Sequence, residues 1–323
     1  MRLLPSIKCK NAALSCFRYI SEASSSAASV DQHDVLAKRN AMFNKEQERQ
    51  RSLIARLEKI EVQYEGAPKN ATLIMNKGLS TPFDCARHLT EMLLKRSCIA
   101  EVNGVPWDMH KPLVEDCRLR LLHFHDQDPF VANKTFWRSC SFMLGAVIES
   151  AFKDGVTVHL HSFPPPDVKS GSFVHDAQLG LPDWSPRKEE LQILSVQMVK
   201  LAYRELKFER LEVSKDLALD MFQDNPHKRK QIPDIAEHSE GNVVLYRIGE
   251  HIDISKGPMM GSTRFLGRCT VAAVHRVQKD GLDLYRFQGV ALPYGMLLNH
   301  FAYGLIEERG RLLNHGWSRA QAW

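Results

Sequence analysis

From about residue 35 the chain alternates between stretches of helical and of strand period, and that alternation predicts an α+β protein. Residues 35–62 read as one strongly charged helix. Lys45, Glu46, Glu48, Arg49 and Arg51 crowd together there, and Leu53, Ile54, Leu57 and Ile60 follow as an apolar stripe at helical spacing. The heptads are too few for a coiled coil. From Asn70 the period shortens. Residues 71–75 predict a strand, Asn76-Lys77-Gly78 a turn, and Ser80-Thr81-Pro82 a helix start, with a capping hydroxyl ahead of a proline at the first helical position. Residues 98–102 predict a second strand ending at the turn Asn103-Gly104. In 118–124, Leu119 and Leu121 alternate with Arg118 and Arg120, as in a half-buried strand. These pieces make a small grasp-like sheet crossed by a helix. A second α+β unit follows, with helices at 134–152, 186–208, 214–222 and 294–309 and strands at 156–160, 243–248 and 270–277. Leu191, Leu194, Met198 and Leu201 supply the core stripe of its longest helix.

Composition changes this picture at one end only. The chain of 323 residues has room for about two domains, and its 44% hydrophobic and 25% charged residues are ordinary for a globular protein. No apolar run reaches the ~18 residues of a membrane-spanning helix. Met1 to Ser21 is free of acids and carries Arg2, Lys8, Lys10 and Arg18, and only Ser and Ala occur from Ala23 to Ser29. Basic, Ser-rich and acid-poor describes a mitochondrial targeting segment, assigned here to residues 1–30. The formal net charge is +5, and those four residues supply most of it, so the rest is close to neutral. RNA contact must then come from local patches rather than from a global field.

Candidate chemistry is sparse. Seven scattered cysteines without C-x-x-C spacing read as reduced thiols. His159 with His161, and His123 with His125, alternate along strands and lack further ligands of matching spacing. No phosphate-binding glycine loop occurs, and Ser139 has no base beside it. The densest basic run outside the first segment is His227-Lys228-Arg229-Lys230, read as a loop. Lys228, Arg229 and Lys230, with Arg118 and Arg120 on their strand, are the candidate RNA contacts. Lys45, Arg49, Arg51, Leu53, Leu57 and Ile60 mark a candidate arm for docking a partner.

The order of elements and four local motifs resemble the N-terminal half of threonyl-tRNA synthetases. Ile99-Ala100-Glu101-Val102-Asn103-Gly104 is similar to the apolar strand running into Val-Asn-Gly of their TGS domain, a ubiquitin-like β-grasp. Three further segments are similar to their editing domain. Ser170-Gly171-Ser172-Phe173-Val174-His175 echoes Asp-Gly-Phe-Tyr-Tyr-Asp. Asp253-Ile254-Ser255-Lys256-Gly257-Pro258-Met259 follows Asp-x-Cys-Arg-Gly-Pro-His, and Arg286-Phe287-Gln288-Gly289-Val290-Ala291 follows Arg-Ile-Tyr-Gly-x-Ala. The resemblance implies an N-terminal helical arm at 31–66, a TGS-like β-grasp domain at 67–130 and an editing-like α+β domain with a C-terminal helix at 131–323.

It also implies that the chemistry is gone. Editing domains present two histidines at i and i+4 on one helix face, where they share a metal or a water, together with a later Cys/His pair. The corresponding positions here are Arg138, Phe142, Ser255 and Met259. Arginine offers no neutral nitrogen and phenylalanine no ligand atom. The synthetase's catalytic and anticodon-binding domains would follow the editing domain, whereas this chain stops at Trp323. No catalytic residue, metal, cofactor or small-molecule substrate is therefore expected. The same domain pair behind a targeting segment resembles a large-subunit component of mitochondrial ribosomes. That implies a non-catalytic structural role in mitochondrial translation, in the matrix, against large-subunit ribosomal RNA and neighbouring ribosomal proteins. The alternatives are a free tRNA-binding or regulatory module in mitochondria and, last, a trans-editing hydrolase of misacylated tRNA.

Overall fold

The computed structural model describes residues 32–153, 155–279 and 281–315, and the targeting segment expected at 1–30 lies outside them. The architecture is α+β, with three sheets. The first helix, α1 (Gln32–Ser52), ends ten residues short of the helix read from the sequence. Strand β1 (Lys59–Tyr64) comes next, and its Ile60, Val62 and Tyr64 point inward while Lys59, Glu61 and Gln63 face out. That two-residue period is the strand signature, but Leu53, Leu57 and Ile60 satisfy helical spacing as well and so conceal it. Ile60, assigned to the docking arm, is therefore a core residue at 4% exposure.

β1 pairs antiparallel with β2 (Ala71–Asn76) and parallel with β5 (Cys117–Leu122). With β3 (Ile99–Val102) and β4 (Val105–Trp107) the sheet order is β2-β1-β5-β3-β4. This is a β-grasp, and its first strand falls within the range assigned to the arm. α2 (Pro82–Leu89) and α3 (Glu91–Arg96) cover the sheet. Thr81 caps α2 in a capping box with Asp84, and Pro82 sits in the first turn, as the sequence predicts.

The second unit is organised by α4 (Phe130–Ala151), which is buried on most of its circumference, as a helix between layers must be. One layer is the four-stranded sheet β11-β12-β7-β6, built from β6 (Val158–Ser162), β7 (Phe173–Leu179), β11 (Leu266–Lys279) and β12 (Leu282–Pro293). α4 meets β7 so closely that a side chain at Gly145 would collide with the His175 ring. α5 (Lys188–Tyr203) packs on β11 through Leu194 and Met198, and the Val271 N–H donates to Ser195 Oγ at 2.8 Å. A smaller sheet, β10-β9-β8, is formed by β8 (Glu209–Ser214), β9 (Asn242–Ile248) and β10 (His251–Ile254). It carries α6 (Lys215–Met221), α7 (Pro226–Glu237) and, from the N-terminal arm, α1. α8 (His300–Gly310) closes the chain over β11 and β12.

α7 corrects a second expectation, because His227 to Lys230 are its first turns and not a loop. Asn225 Oδ1 accepts from the N–H groups of His227 and Lys228, and Pro226 occupies the first helical position. Pro233 inside the helix disguised it.

Candidate functional site

The four positions that resemble ligand positions of an editing site do come together, and apolar contacts fill the space. Phe142 is fully buried on α4, 5.0 Å from the His251 ring, 5.9 Å from Phe208 and 6.4 Å from Tyr246 between centroids. A buried phenylalanine contributes roughly 2–3 kcal/mol of hydrophobic stabilisation there. Met259, 1% exposed, lies in the loop after β10 with its sulfur 3.6 Å from Ser139 Oγ. Arg138 donates to the Pro258 carbonyl at 3.3 Å, and burial lowers its pKa. Ser255 Oγ accepts from the Gly257 N–H at 3.3 Å. Gly257 sits at φ +68, and a side chain there would strike the Tyr246 hydroxyl. The turn at Gly257 thus depends on the absence of a side chain, and Phe142 and Met259 pack as buried apolar groups. Arg138, Phe142, Ser255 and Met259 do not fit a metal ion.

A residue that sequence reasoning missed locks this loop. Asp108, from the β-grasp unit, accepts from the Met259 N–H at 2.8 Å and from the Tyr246 hydroxyl at 2.8 Å. Burial raises its pKa against those two bonds. The Met260 N–H donates to Ser139 Oγ at 2.9 Å, and the Gly261 N–H donates to the Cys98 carbonyl at 2.8 Å. The same loop therefore staples the two units together. Nothing local marks Asp108, since its partners are about 140 and 150 residues away in sequence.

Behind Phe142 lies a buried charged network. Lys228 Nζ meets Asp253 Oδ1 at 2.5 Å, and both side chains are almost fully buried. His251 Nδ1 and Glu149 Oε2 lie 2.6 Å apart, and Glu149 also meets Arg39 at 3.4 Å. Arg39 reaches Asp224 at 2.9 Å and donates to the Met221 carbonyl at 3.0 Å. Burial alone would raise the pKa of Asp253, but Lys228, His175 and His251 overcome it and hold the carboxyl below its usual range. Burial pushes His175 down to about 4, so the ring is neutral, with Nδ1 2.9 Å from the Ser141 carbonyl. His175 Nε2, His251 Nε2 and Asp253 Oδ2 are buried without a hydrogen-bond partner among the described residues.

The other candidates are dispersed. Lys228 cannot touch phosphate, because it is 2% exposed and committed to Asp253. A lysine in the first turns of a helix faces inward or outward according to what packs on that helix, which the sequence did not show. Arg229 and Lys230 are exposed on α7. Arg118 and Arg120 are exposed on β5, and Arg120 pairs with Glu101 at 3.1 Å. Lys45, Arg49 and Arg51 lie on the open side of α1, with Arg49 held by Glu46 at 2.7 Å, and Leu53 and Leu57 follow it exposed. The inner side of α1 is docked within the chain. Phe43 is fully buried under the Arg247 guanidinium at 4.3 Å, and Asn40 Nδ2 donates to the Glu250 carbonyl at 2.7 Å.

His159 and His161 acquire a third imidazole, His227, at 6.4 and 5.0 Å between centroids. His227 Nε2 is 2.7 Å from Gln178 Oε1, and His161 Nδ1 is 2.7 Å from Ser162 Oγ. Among the described residues no group of three or more His, Cys, Asp or Glu side chains could hold a metal ion, and no helix is long and apolar enough to cross a membrane. Cys85, Cys98, Cys117, Cys140 and Cys269 are all buried free thiols. Burial pushes Cys85 and Cys269 up to about 12, so neither is a nucleophile at neutral pH.

Comparison with known proteins accounts for this combination. Residues 67–123 match the TGS domain family. The chain is 29% identical to a probable cytoplasmic threonine–tRNA ligase 1 of Dictyostelium discoideum over 67% of its length, and 27% identical to cytoplasmic threonine–tRNA ligase 1 of Homo sapiens over 72%. It spans 29% and 31% of the length of those two ligases. The fold and these similarities together define a TGS and editing-like pair of threonyl-tRNA-synthetase type. The large ribosomal subunit protein mL39 of Drosophila melanogaster is 55% identical over 85% of this chain and 84% of its own length. The chain belongs to the mL39 family of large ribosomal subunit proteins.

Proposed function

We propose that this chain is a structural constituent of the large subunit of the mitochondrial ribosome. In the matrix it supports translation by occupying a place between ribosomal RNA and neighbouring ribosomal proteins. The observation that carries the reading is Phe142 and Met259 buried at the positions where an editing site needs ligands. An inherited cleft has become core, and a fold kept without its chemistry is a scaffold. The arm, the TGS-like unit and the editing-like unit are read as one such scaffold, tied together by Asp108 and Arg39. Arg229, Lys230, Arg118 and the open side of α1 are the proposed phosphate contacts, with Lys228 withdrawn from that set.

Sucrose-gradient fractionation of a mitochondrial lysate tests this directly. The chain sediments with the large subunit if the reading holds, and a free module remains at the top of the gradient. Purified protein should show no stoichiometric zinc in elemental analysis and should deacylate seryl-tRNA only at the uncatalysed rate. A rate above that background would restore the hydrolase.

A further inference from the structure

We infer that the outward face of α8 is a docking surface for a neighbouring protein of the large subunit, one that presents an apolar ridge with an acidic border. The inference rests on the ribosomal reading and adds to it the side of the molecule that is engaged and the chemistry of the partner. α8 is apolar on both sides. Its inner side is committed, since Tyr303 is fully buried and Gly310 lies where any side chain would collide with Val290. Its outer side carries Phe301 and Leu305, one helical turn apart, at 77% and 54% exposure, while Leu297 just before the helix and Leu312 just after it are exposed at 93% and 71%. The apolar surface of its first two turns is thus covered within the chain on one side only.

The border of the stripe says what covers it. Arg309 is exposed near the end of the helix and donates to the Lys169 carbonyl at 2.7 Å, Arg311 is exposed just past it, and Arg268 stands beside it, stacked on Tyr303 at 3.5 Å and reaching His300. Apolar surface of this kind gains nothing from RNA phosphates, whose attraction is electrostatic. A second copy of the chain would bring the arginine borders face to face, and like-charge juxtaposition disfavours that pairing. A lipid surface suits basic borders, but Glu308 is exposed in the middle of the stripe, where it would sit at the acyl boundary. A protein surface satisfies all of these together. Its leucine- or phenylalanine-type side chains cover Leu297, Phe301 and Leu305, its carboxylates face Arg268, Arg309 and Arg311, and a single donor faces Glu308.

The test uses the full chain in assembled subunits, with a photo-reactive phenylalanine analogue at Phe301. Absence of the unsubstituted chain from the large-subunit peak would sink the ribosomal reading itself. With the chain in the peak, cross-linking to a protein segment of apolar residues bordered by Asp or Glu is the expected result. Cross-links to ribosomal RNA or to a second copy, or no cross-link, would overturn the docking inference alone. So would flotation of the purified chain with anionic phosphatidylglycerol vesicles. The double variant Leu297→Asp, Phe301→Asp keeps the fold, because both side chains are exposed, and a thermal melt verifies this. It should lower occupancy of the large-subunit peak at least tenfold, and unchanged occupancy would refute the inference.

Discussion

Burial makes His175 a source of acid sensitivity. Its folded pKa of about 4 lies below the ordinary value near 6.5, so between those values the unfolded chain binds a proton that the folded chain refuses. Stability is therefore full above about pH 6.5, falls as the pH drops toward 4, and levels off for this group below that. The shift corresponds to roughly 3 kcal/mol. Asp253 and Glu149 have a linkage of the same sign: their carboxyls are held below the usual range, so their contribution is also lost on acidification, at lower pH. Urea denaturation at pH 7.5, 6 and 5 should show a steady loss in the parent and a shallower loss in His175→Gln. Equal slopes would mean that the ring is already charged in the fold. Lys228 makes a second prediction. Removing one partner of a buried pair leaves an uncompensated charge, so Lys228→Met should cost about 3–5 kcal/mol. The double variant Lys228→Met, Asp253→Leu should recover much of that, and a double variant no better than the single would show that Asp253 is held by the histidines instead.

At the scale of elements the decisive pieces are α1 and α4. α1 carries Arg39 into the second unit, where it bridges Glu149 of α4 and Asp224 and stacks on Phe222 at 4.6 Å. Arg39→Ala should loosen the whole helix rather than one interaction, at a cost of about 3 kcal/mol. Limited proteolysis should then cut between Leu53 and Glu58 at least tenfold faster, and an unchanged cleavage pattern would mean that Phe43 alone anchors the arm. α4 joins both layers, and its Phe142 now packs as a core residue. A Phe142→His substitution would exchange a filled hydrophobic site for a polar group without prepared partners, so it is expected to destabilise the fold without creating a metal centre.

For the whole molecule the governing quantity is charge. Apart from the basic first segment the chain is close to neutral, so it has little general attraction to RNA, and its salt response must come from a few residues. Removing a side chain that neutralises one phosphate should reduce the salt slope of binding by about one unit and leave sequence preference unchanged. Arg229→Ala and Lys230→Ala are expected to do so in a filter-binding titration against large-subunit RNA. Slopes equal to that of the parent would remove α7 from the RNA face. Apolar docking through α8 is nearly indifferent to salt, so washing purified subunits at rising salt should leave the chain in the pellet beyond the point where purely electrostatic neighbours are released.

Local patterns in the sequence determined much of this. Thr81-Pro82 set the start of α2, Asn103-Gly104 set the turn between β3 and β4, and the 3.6-residue spacing of Leu194 and Met198 set the buried face of α5. The positions Arg138, Phe142, Ser255 and Met259 were picked out by the resemblance, and of the four only Phe142 has no ligand atom at all. What tertiary structure alone decided was every outcome that depends on a distant neighbour. Ile60 fits a helical stripe and a strand equally well until β2 and β5 pair with β1 on either side of it. Lys228, Arg229 and Lys230 look alike as a basic run, yet only Lys228 faces Asp253 across the domain. Asp108 carries no local mark, because its role is defined by Tyr246 and Met259. Periodicity records which face of an element is apolar, whereas burial of a charge depends on which other charge the fold brings opposite it.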